Sequence, residues 1–249
     1  MSKIAFIVQA RTGSTRLPNK MIMPFYKGKT IPQLIISRLI NSFPDQKVIL
    51  ATTTSSKDDE LVVSLNELSC EVFRGDENDV LDRFIQAAEK FEVEHVVRIC
   101  ADNPFLDVSL LRELITKWSS EYDYLAHNIN GKPCMKTAYG FFGEIVHLKA
   151  LKKAAILTKE NLYHEHVTNF IYGHVDIFDV HWLSVDAMIR ENDFIRLTVD
   201  TKVDFEITQQ LYKAVNQIDE SFNYKDIISL LKNTIFKDLM IEENIKNAK

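Results

Sequence analysis

Short apolar runs alternate with amphipathic stretches through the first half of the chain. Residues 4–8, Ile-Ala-Phe-Ile-Val, are apolar throughout, which predicts a buried strand. Residues 31–43 carry Leu34, Ile35, Leu39 and Ile40 at the spacing of one helix face. A strand over 48–52 follows, then a helix over 58–68 with Leu61, Val62, Leu65 and Leu68 on one side. A short strand over 71–73 precedes an amphipathic helix over 78–91, through Val80, Leu81, Phe84, Ile85 and Ala88. Another strand over 95–100 leads to a helix over 108–118. This β-α-β-α-β-α-β-α order predicts a parallel sheet covered on both faces.

The pattern loosens near residue 125. Strands are expected over 122–126 and 138–142, separated by the turn-rich Asn128-Ile-Asn-Gly-Lys-Pro133. Helices are expected from about 147 to 157 and from 163 to 172. Residues 175–181 alternate apolar with polar, the pattern of a half-exposed antiparallel strand. Residues 196–200 return to the core pattern as a further strand, and helices close the chain. The whole of residues 1–249 therefore reads as one domain, with 130–190 as an inserted or appended subdomain.

The first strand is followed by Gln9-Ala-Arg-Thr-Gly-Ser-Thr-Arg-Leu-Pro-Asn-Lys20, where three cations leave a strand end together. Ligands of open parallel sheets sit at that end. Gly13, free to take a positive φ, lets backbone N–H groups from Ala10 onward approach an anion. Ser14 adds a hydroxyl, Arg11 and Arg16 planar forks, Lys20 a point charge, and Pro18 stiffens the return. The chain has only seven glycines, so one set among three cations is poor filler. A phosphate-rich ligand is the expected partner. The spacing matches neither a Walker A loop nor GxGxxG.

Composition narrows the partner. A net charge of −5 argues against a general nucleic-acid binder, so the cationic loop is a local feature. The three cysteines are far apart, with no zinc spacing, as thiols in a reducing compartment would be. The sequence enters a strand at once, with no apolar h-region and no run able to span a bilayer. No signal peptide or membrane partner is expected, and the cytoplasm is the expected location.

Two later strand ends carry carboxylates. Asp102 lies just past the strand over 95–100, where a metal ligand beside a triphosphate is useful; an Asp turn or helix cap is the plain alternative. Asp107 fits a cap better, directly before Val108. Asp200 ends the apolar run 196–200, and Asp204 suits the first turn of the next helix. Mg²⁺ takes one or two protein carboxylates beside phosphate oxygens and waters, a need that Asp102 and Asp200 meet next to a cationic loop.

Residues 10–20 resemble the Arg-x-Gly-Ser-x-Arg-Leu-Pro-x-Lys signature of the CMP-sugar synthetases, cytidylyltransferases acting on 3-deoxy sugar acids. The stretches 73–83 (Phe-Arg-Gly-Asp-Glu-Asn-Asp-Val-Leu-Asp-Arg), 98–107, 164–168 (His-Glu-His-Val-Thr) and 196–204 resemble the branch named for spore coat polysaccharide biosynthesis protein F. The resemblance covers nearly the full chain. It implies a three-layer α/β/α nucleotide-diphosphosugar-transferase fold (Rossmann-like) with a mixed, mostly parallel sheet and a small dimerising insertion. It implies a homodimer, CTP and Mg²⁺ as partners, and transfer of CMP to a sugar or sugar acid in surface polysaccharide synthesis. Arg11, Ser14 and Lys20 would hold the triphosphate, and Asp102 and Asp200 the metal. With Arg11 and Lys20 these two form the expected catalytic set.

The remaining positions are more open. Thr52 and Thr53, in the Thr-rich stretch after the second strand, either bond a pyrimidine edge or belong to a loop capping the helix from Asp58. Arg74 and Arg98 either line the nucleotide site or serve as structural ion-pair partners. His164 and His166, two apart, cannot share a helix face as a metal pair and suit the sugar pocket or a subunit contact. The sugar-contacting segments of the 3-deoxy sugar acid enzymes are not recognisable in this chain. Rival readings are a transferase of the same fold using another nucleotide or a phosphorylated sugar or alcohol, and a catalytically silent nucleotide-binding partner. A glycosyltransferase would want an Asp-x-Asp motif, and none occurs near Cys100.

Overall fold

The computed structural model describes residues 3–219, 221–232 and 234–247. Strands β1 (Ile4–Gln9), β2 (Lys47–Thr53), β3 (Glu71–Gly75) and β4 (His95–Cys100) pair in parallel with β1 at the centre. Helices α1 (Ile31–Ser42), α2 (Asp59–Ser64) and α3 (Val80–Lys90) are the crossovers, and α4 (Val108–Lys117) follows β4. Beyond them lie β5 (Tyr124–Ile129), β6 (Lys132–Pro133) and β7 (Glu144–His147), then α5 (Leu148–Leu157), α6 (Asn161–Glu165), α7 (Asn169–Gly173), β8 (Val180–Ser184) and α8 (Ala187–Arg190). Three helices end the described chain: α9 (Lys202–Ile218), α10 (Tyr224–Lys232) and α11 (Phe236–Asn247).

The sheet order is β3-β2-β1-β4-β7-β5-β6, with β8 also pairing to β5. Strand β7 runs antiparallel to both β4 and β5, so β5 and β8 point the same way as β1 to β4. The sheet is mixed and mostly parallel, as expected, with helices on both faces. In β1 the alternation sorts side chains between two cores: Phe6 and Val8 pack on one face, Ala5 and Ile7 on the other. A strand buried on both sides has to be apolar at every position. Among the described residues no helix is long and apolar enough to cross a membrane.

Local capping explains several boundaries. Thr30 and Gln33 form a capping box at the start of α1, and Thr201 and Asp204 another at α9. Asp107 caps α4 by accepting from Leu110 N, the plain role expected for it. Asp204 also takes a two-pronged ion pair from Arg196 at 2.7 and 3.0 Å.

The structure departs from the sequence expectation in the second half. Residues 138–142 are not a strand: Ala138 O accepts from Leu197 N and Thr198 N, and Gly140 turns the chain at φ 70°. The strand expected there lies later, as β7. Residues 175–181 do not form an antiparallel strand. His174 O accepts from Ile177 N and Phe178 N in a turn, and the strand is β8, parallel to β5. Period-two alternation reports a half-exposed strand but not the direction of its neighbour. Residues 196–200 form no strand and lie outside the sheet, although Leu197 and Val199 are fully buried. The helix expected over 163–172 breaks at Val167, φ 25°, into α6 and α7. The one expected over 58–68 shrinks to a 3-10 turn, Ser56–Asp58, and α2. The stretch 130–190 supplies β6, β7 and β8 to the common sheet and α5 to α7 beside it.

Candidate active site

The carboxyl ends of β1, β2, β3 and β4 lie along one edge of the sheet, and the cationic loop leaves the central one. The ladder carries on for one residue, with Ala10 N donating to Ala51 O at 3.3 Å. Thr12 then organises the loop. Its carbonyl accepts from Ser14 N at 2.8 Å and Asn19 N at 3.2 Å, while Ser14 Oγ accepts from Leu17 N at 3.3 Å. Gly13 does not take the positive φ expected of it; Asn19 does, at 62°. What Gly13 provides is space, because a Cβ there would sit 3.1 Å from Glu77 Oε1. Arg11 Nη1 lies 3.5 Å from the same carboxylate oxygen.

Lys20 is 6% exposed and joins the loop to both expected metal carboxylates. Its Nζ donates to Val199 O at 2.6 Å and to Asp102 Oδ2 at 3.3 Å, and stands 4.0 Å from Asp200 Oδ1. Arg16 Nη2 completes the group, 2.7 Å from Asp200 Oδ1. Asp200 arrives by an irregular segment rather than a strand: Val199 N donates to Asp102 O at 2.9 Å, which ties the backbone beside Asp200 to that of Asp102. Burial and the charge of Asp102 raise the Asp200 pKa above the ordinary 3.8, against the pull of Lys20 and Arg16. Two neighbouring carboxylates backed by Lys20 and Arg16 are a donor set that a divalent ion carrying its own anionic ligands could use.

Two cavities meet at this carboxylate pair. The smaller, about 280 Å³, is lined by Ala10, Arg11, Gly13, Ser14, Arg16 and Lys20 on the loop side. The larger, about 680 Å³, is walled by Lys132, Lys136, His166, Asn169, Tyr172 and Thr198. Arg16, Cys100, Asp102 and Asp200 line both.

The contacts of the other candidates bear on the alternatives left open for them. Thr52 and Thr53 are buried, and their hydroxyls donate to Asp58 Oδ2 at 2.9 and 2.5 Å, so neither faces a base; the loop alternative holds. Arg74 also takes its structural alternative. It donates to Thr53 O, Ser55 O and Asp59 at 2.6–2.8 Å, pinning the loop after β2. Arg98 lines the larger cavity but is bound to buried Glu144 at 2.7 Å and to Gln9 Oε1 at 3.2 Å. His164 does not reach the cavity. Its ring bridges Asp79, the N-cap of α3, at 2.7 Å and Thr158 O at 3.0 Å. His166, the residue just before the break at Val167, does line the larger cavity.

Sequence reasoning missed Asp58, Glu144 and Asn169. Glu144 accepts from Arg98, Thr168 Oγ1 and Tyr124 OH, and so hangs the His166–Asn169 segment from the sheet. No motif flags Glu144. The one available signal for Asp58 was three threonines at a strand end with an aspartate shortly after.

Comparison with known proteins gives a consistent result. The family model described as cytidylyltransferase matches residues 5–234. Spore coat polysaccharide biosynthesis protein SpsF of Bacillus subtilis is 34% identical over 240 residues, covering 93% of this chain and 95% of that one. A cytidylyltransferase from Leptospira borgpetersenii superimposes with a TM-score of 0.83 at 26% identity, over 93% of this chain and 94% of that one. CMP:2-keto-3-deoxy-manno-octonic acid synthetase complexed with CTP shares the fold, with a TM-score of 0.61 at 16% identity, over 86% and 99% of the two chains.

Proposed function

The chain belongs to the cytidylyltransferase family, and on that premise we propose that it transfers CMP from CTP to a sugar or sugar acid, releasing pyrophosphate. The observation that carries this reading is the meeting of two cavities at Asp102 and Asp200, one lined by the cationic loop and one large enough for a sugar. Similarity to SpsF supports placing the product among surface polysaccharide precursors.

In the reaction, an acceptor hydroxyl attacks the α-phosphorus, a new P–O bond forms, the bond to pyrophosphate breaks, and the hydroxyl proton is released to solvent. Negative charge grows on the phosphoryl oxygens and on the leaving group. Arg11, Ser14 and the N–H groups around Gly13 would cradle the triphosphate, with Arg11 at the α-phosphoryl region. Lys20, buried and held by Val199 O, presents a fixed ammonium to the departing pyrophosphate. Asp102 and Asp200 would hold Mg²⁺, which when bound neutralises phosphoryl charge and aligns attack. The donor set fits that ion: Asp102 and Asp200 line both cavities, and Mg²⁺ beside a nucleotide needs only one or two carboxylates. His166, Asn169 and Thr198 offer hydrogen bonds to acceptor hydroxyls in the larger cavity.

A homodimer built through residues 130–190 goes with this reading, supported by exposed Ile156, Leu157 and Leu162 in that stretch. The deciding experiment incubates the protein with CTP, Mg²⁺ and a library of sugars and sugar acids, and follows products by mass spectrometry. A CMP-sugar formed in step with pyrophosphate is expected. CTP binding with no product across a broad acceptor panel, phosphorylated ones included, would sink the proposal.

A further inference from the structure

We propose that Asp58 is a positioning residue that aims the phosphate loop at the triphosphate, an inference that rests on the nucleotide reading of residues 10–20. Asp58 is 1% exposed and lines neither cavity, so it acts through other groups. Its two carboxylate oxygens grip two different strand ends. Oδ1 accepts from Thr12 N at 2.7 Å and from Thr12 Oγ1 at 2.7 Å. Oδ2 accepts from Thr52 Oγ1 at 2.9 Å, Thr53 N at 3.2 Å and Thr53 Oγ1 at 2.5 Å. One carboxylate therefore clamps the loop after β1 to the end of β2.

The clamp sits where the sheet stops helping. The β1–β2 ladder ends with Ala10 N on Ala51 O, and Thr12 is the next residue whose backbone N–H is held from outside the loop. Thr12 lies between Arg11 and Gly13, and its carbonyl holds Ser14 N and Asn19 N. Fixing Thr12 thus fixes the arc that carries Arg11, Ser14, Arg16 and Lys20. Burial alone would raise the Asp58 pKa, but the threonine hydrogen bonds outweigh it and hold the carboxyl below the ordinary 3.8. The clamp is therefore an anion across the neutral range, accepting from donors on both sides. An amide of the same shape has a single acceptor oxygen, so its NH₂ faces donors on one side or the other. Asp58→Asn keeps the volume and breaks one grip.

The test measures binding of CTP and CMP, both with Mg²⁺, by calorimetry well below the melting midpoint. In the wild type CTP should bind more tightly than CMP. Asp58→Asn should weaken CTP about 10- to 100-fold, the scale of hydrogen bonds to a charged group, and leave CMP within about threefold. A merely structural role would lower the melting midpoint and leave the CTP-to-CMP ratio alone; that result overturns the proposal. If Asp58→Asn does not fold, Thr12→Val decides, since it removes the hydroxyl bond to Oδ1. A selective loss of CTP binding supports the clamp, and unchanged CTP binding overturns it. Wild-type protein that binds neither nucleotide would instead refute the nucleotide reading itself.

Discussion

Replacing Asp200 by Asn preserves the size of the side chain and removes one of the two negative charges that meet on Lys20. In the folded protein the Asp200 pKa is raised, by burial first and by Asp102 second. The folded state thus holds the proton more tightly than the unfolded chain, and stability falls as pH rises from the ordinary value of 3.8 through the folded one. At neutral pH the ionised carboxylate is therefore a cost to the fold, and a neutral amide relieves it. Against that stands the lost ion pair with Arg16, whose side chain is 61% exposed and screened by solvent. The ligand-free variant should melt within about 4 °C of the wild type, equivalent to about 1 kcal/mol. With Mg²⁺ and CTP at about 100 times the dissociation constant, the wild type gains about 2.7 kcal/mol. That raises its midpoint by about 5–10 °C. The variant should lose most of that gain, and pyrophosphate release should fall about 10²–10³-fold. The assays are thermal melts with and without Mg²⁺ and CTP, beside a coupled pyrophosphate assay. Wild-type turnover, or an undiminished Mg²⁺-dependent shift, would refute the assignment.

His166→Ala should raise the acceptor KM about tenfold and leave the CTP KM unchanged, whereas His164→Asn should lower the melting midpoint with little effect on either KM; steady-state kinetics on both variants separate the two roles. Gly140→Ala should destabilise by about 2 kcal/mol or more, read by urea unfolding, because φ is 70° and the new Cβ would stand 2.9 Å from the Leu197 carbonyl carbon. Asp58 should stabilise the wild type above the ordinary carboxyl pKa of 3.8, with that contribution lost as pH falls through its lower folded value. Asp58→Asn should accordingly flatten the acid limb of the stability profile, and a parallel limb would argue against the clamp. Sedimentation should show a dimer that Leu162→Glu weakens, since Leu162 is 54% exposed on the 130–190 stretch.

The parts legible in the sequence are those set by neighbours along the chain. The apolar run of β1 had to be a strand buried on both faces, and the residues after it had to leave the sheet where anions bind. Asp102 and Asp107 were readable because a strand end and a helix start lie within a few residues of them. Thr52, Thr53 and Arg74 stayed open between two readings for a shared reason. Donor groups at a strand end look alike whether they face a ligand or a buried partner. Here Asp58, Thr53 O, Ser55 O and Asp59 had already engaged them.

By itself the sequence determined the strand–helix order of the first half and the cationic loop at the end of β1, because apolar period and residue type are local properties of a chain. Only the tertiary structure decided that β7 runs antiparallel between β4 and β5, and that Glu144 and Thr168 bring His166 to the cavity while His164 turns away to Asp79. It also decided that Lys20, Asp102 and Asp200 converge. Each of these is a pairing between groups tens of residues or more apart. Such pairings are selected by packing and by the cost of leaving buried polar groups unsatisfied, and spacing along the chain carries no record of that selection.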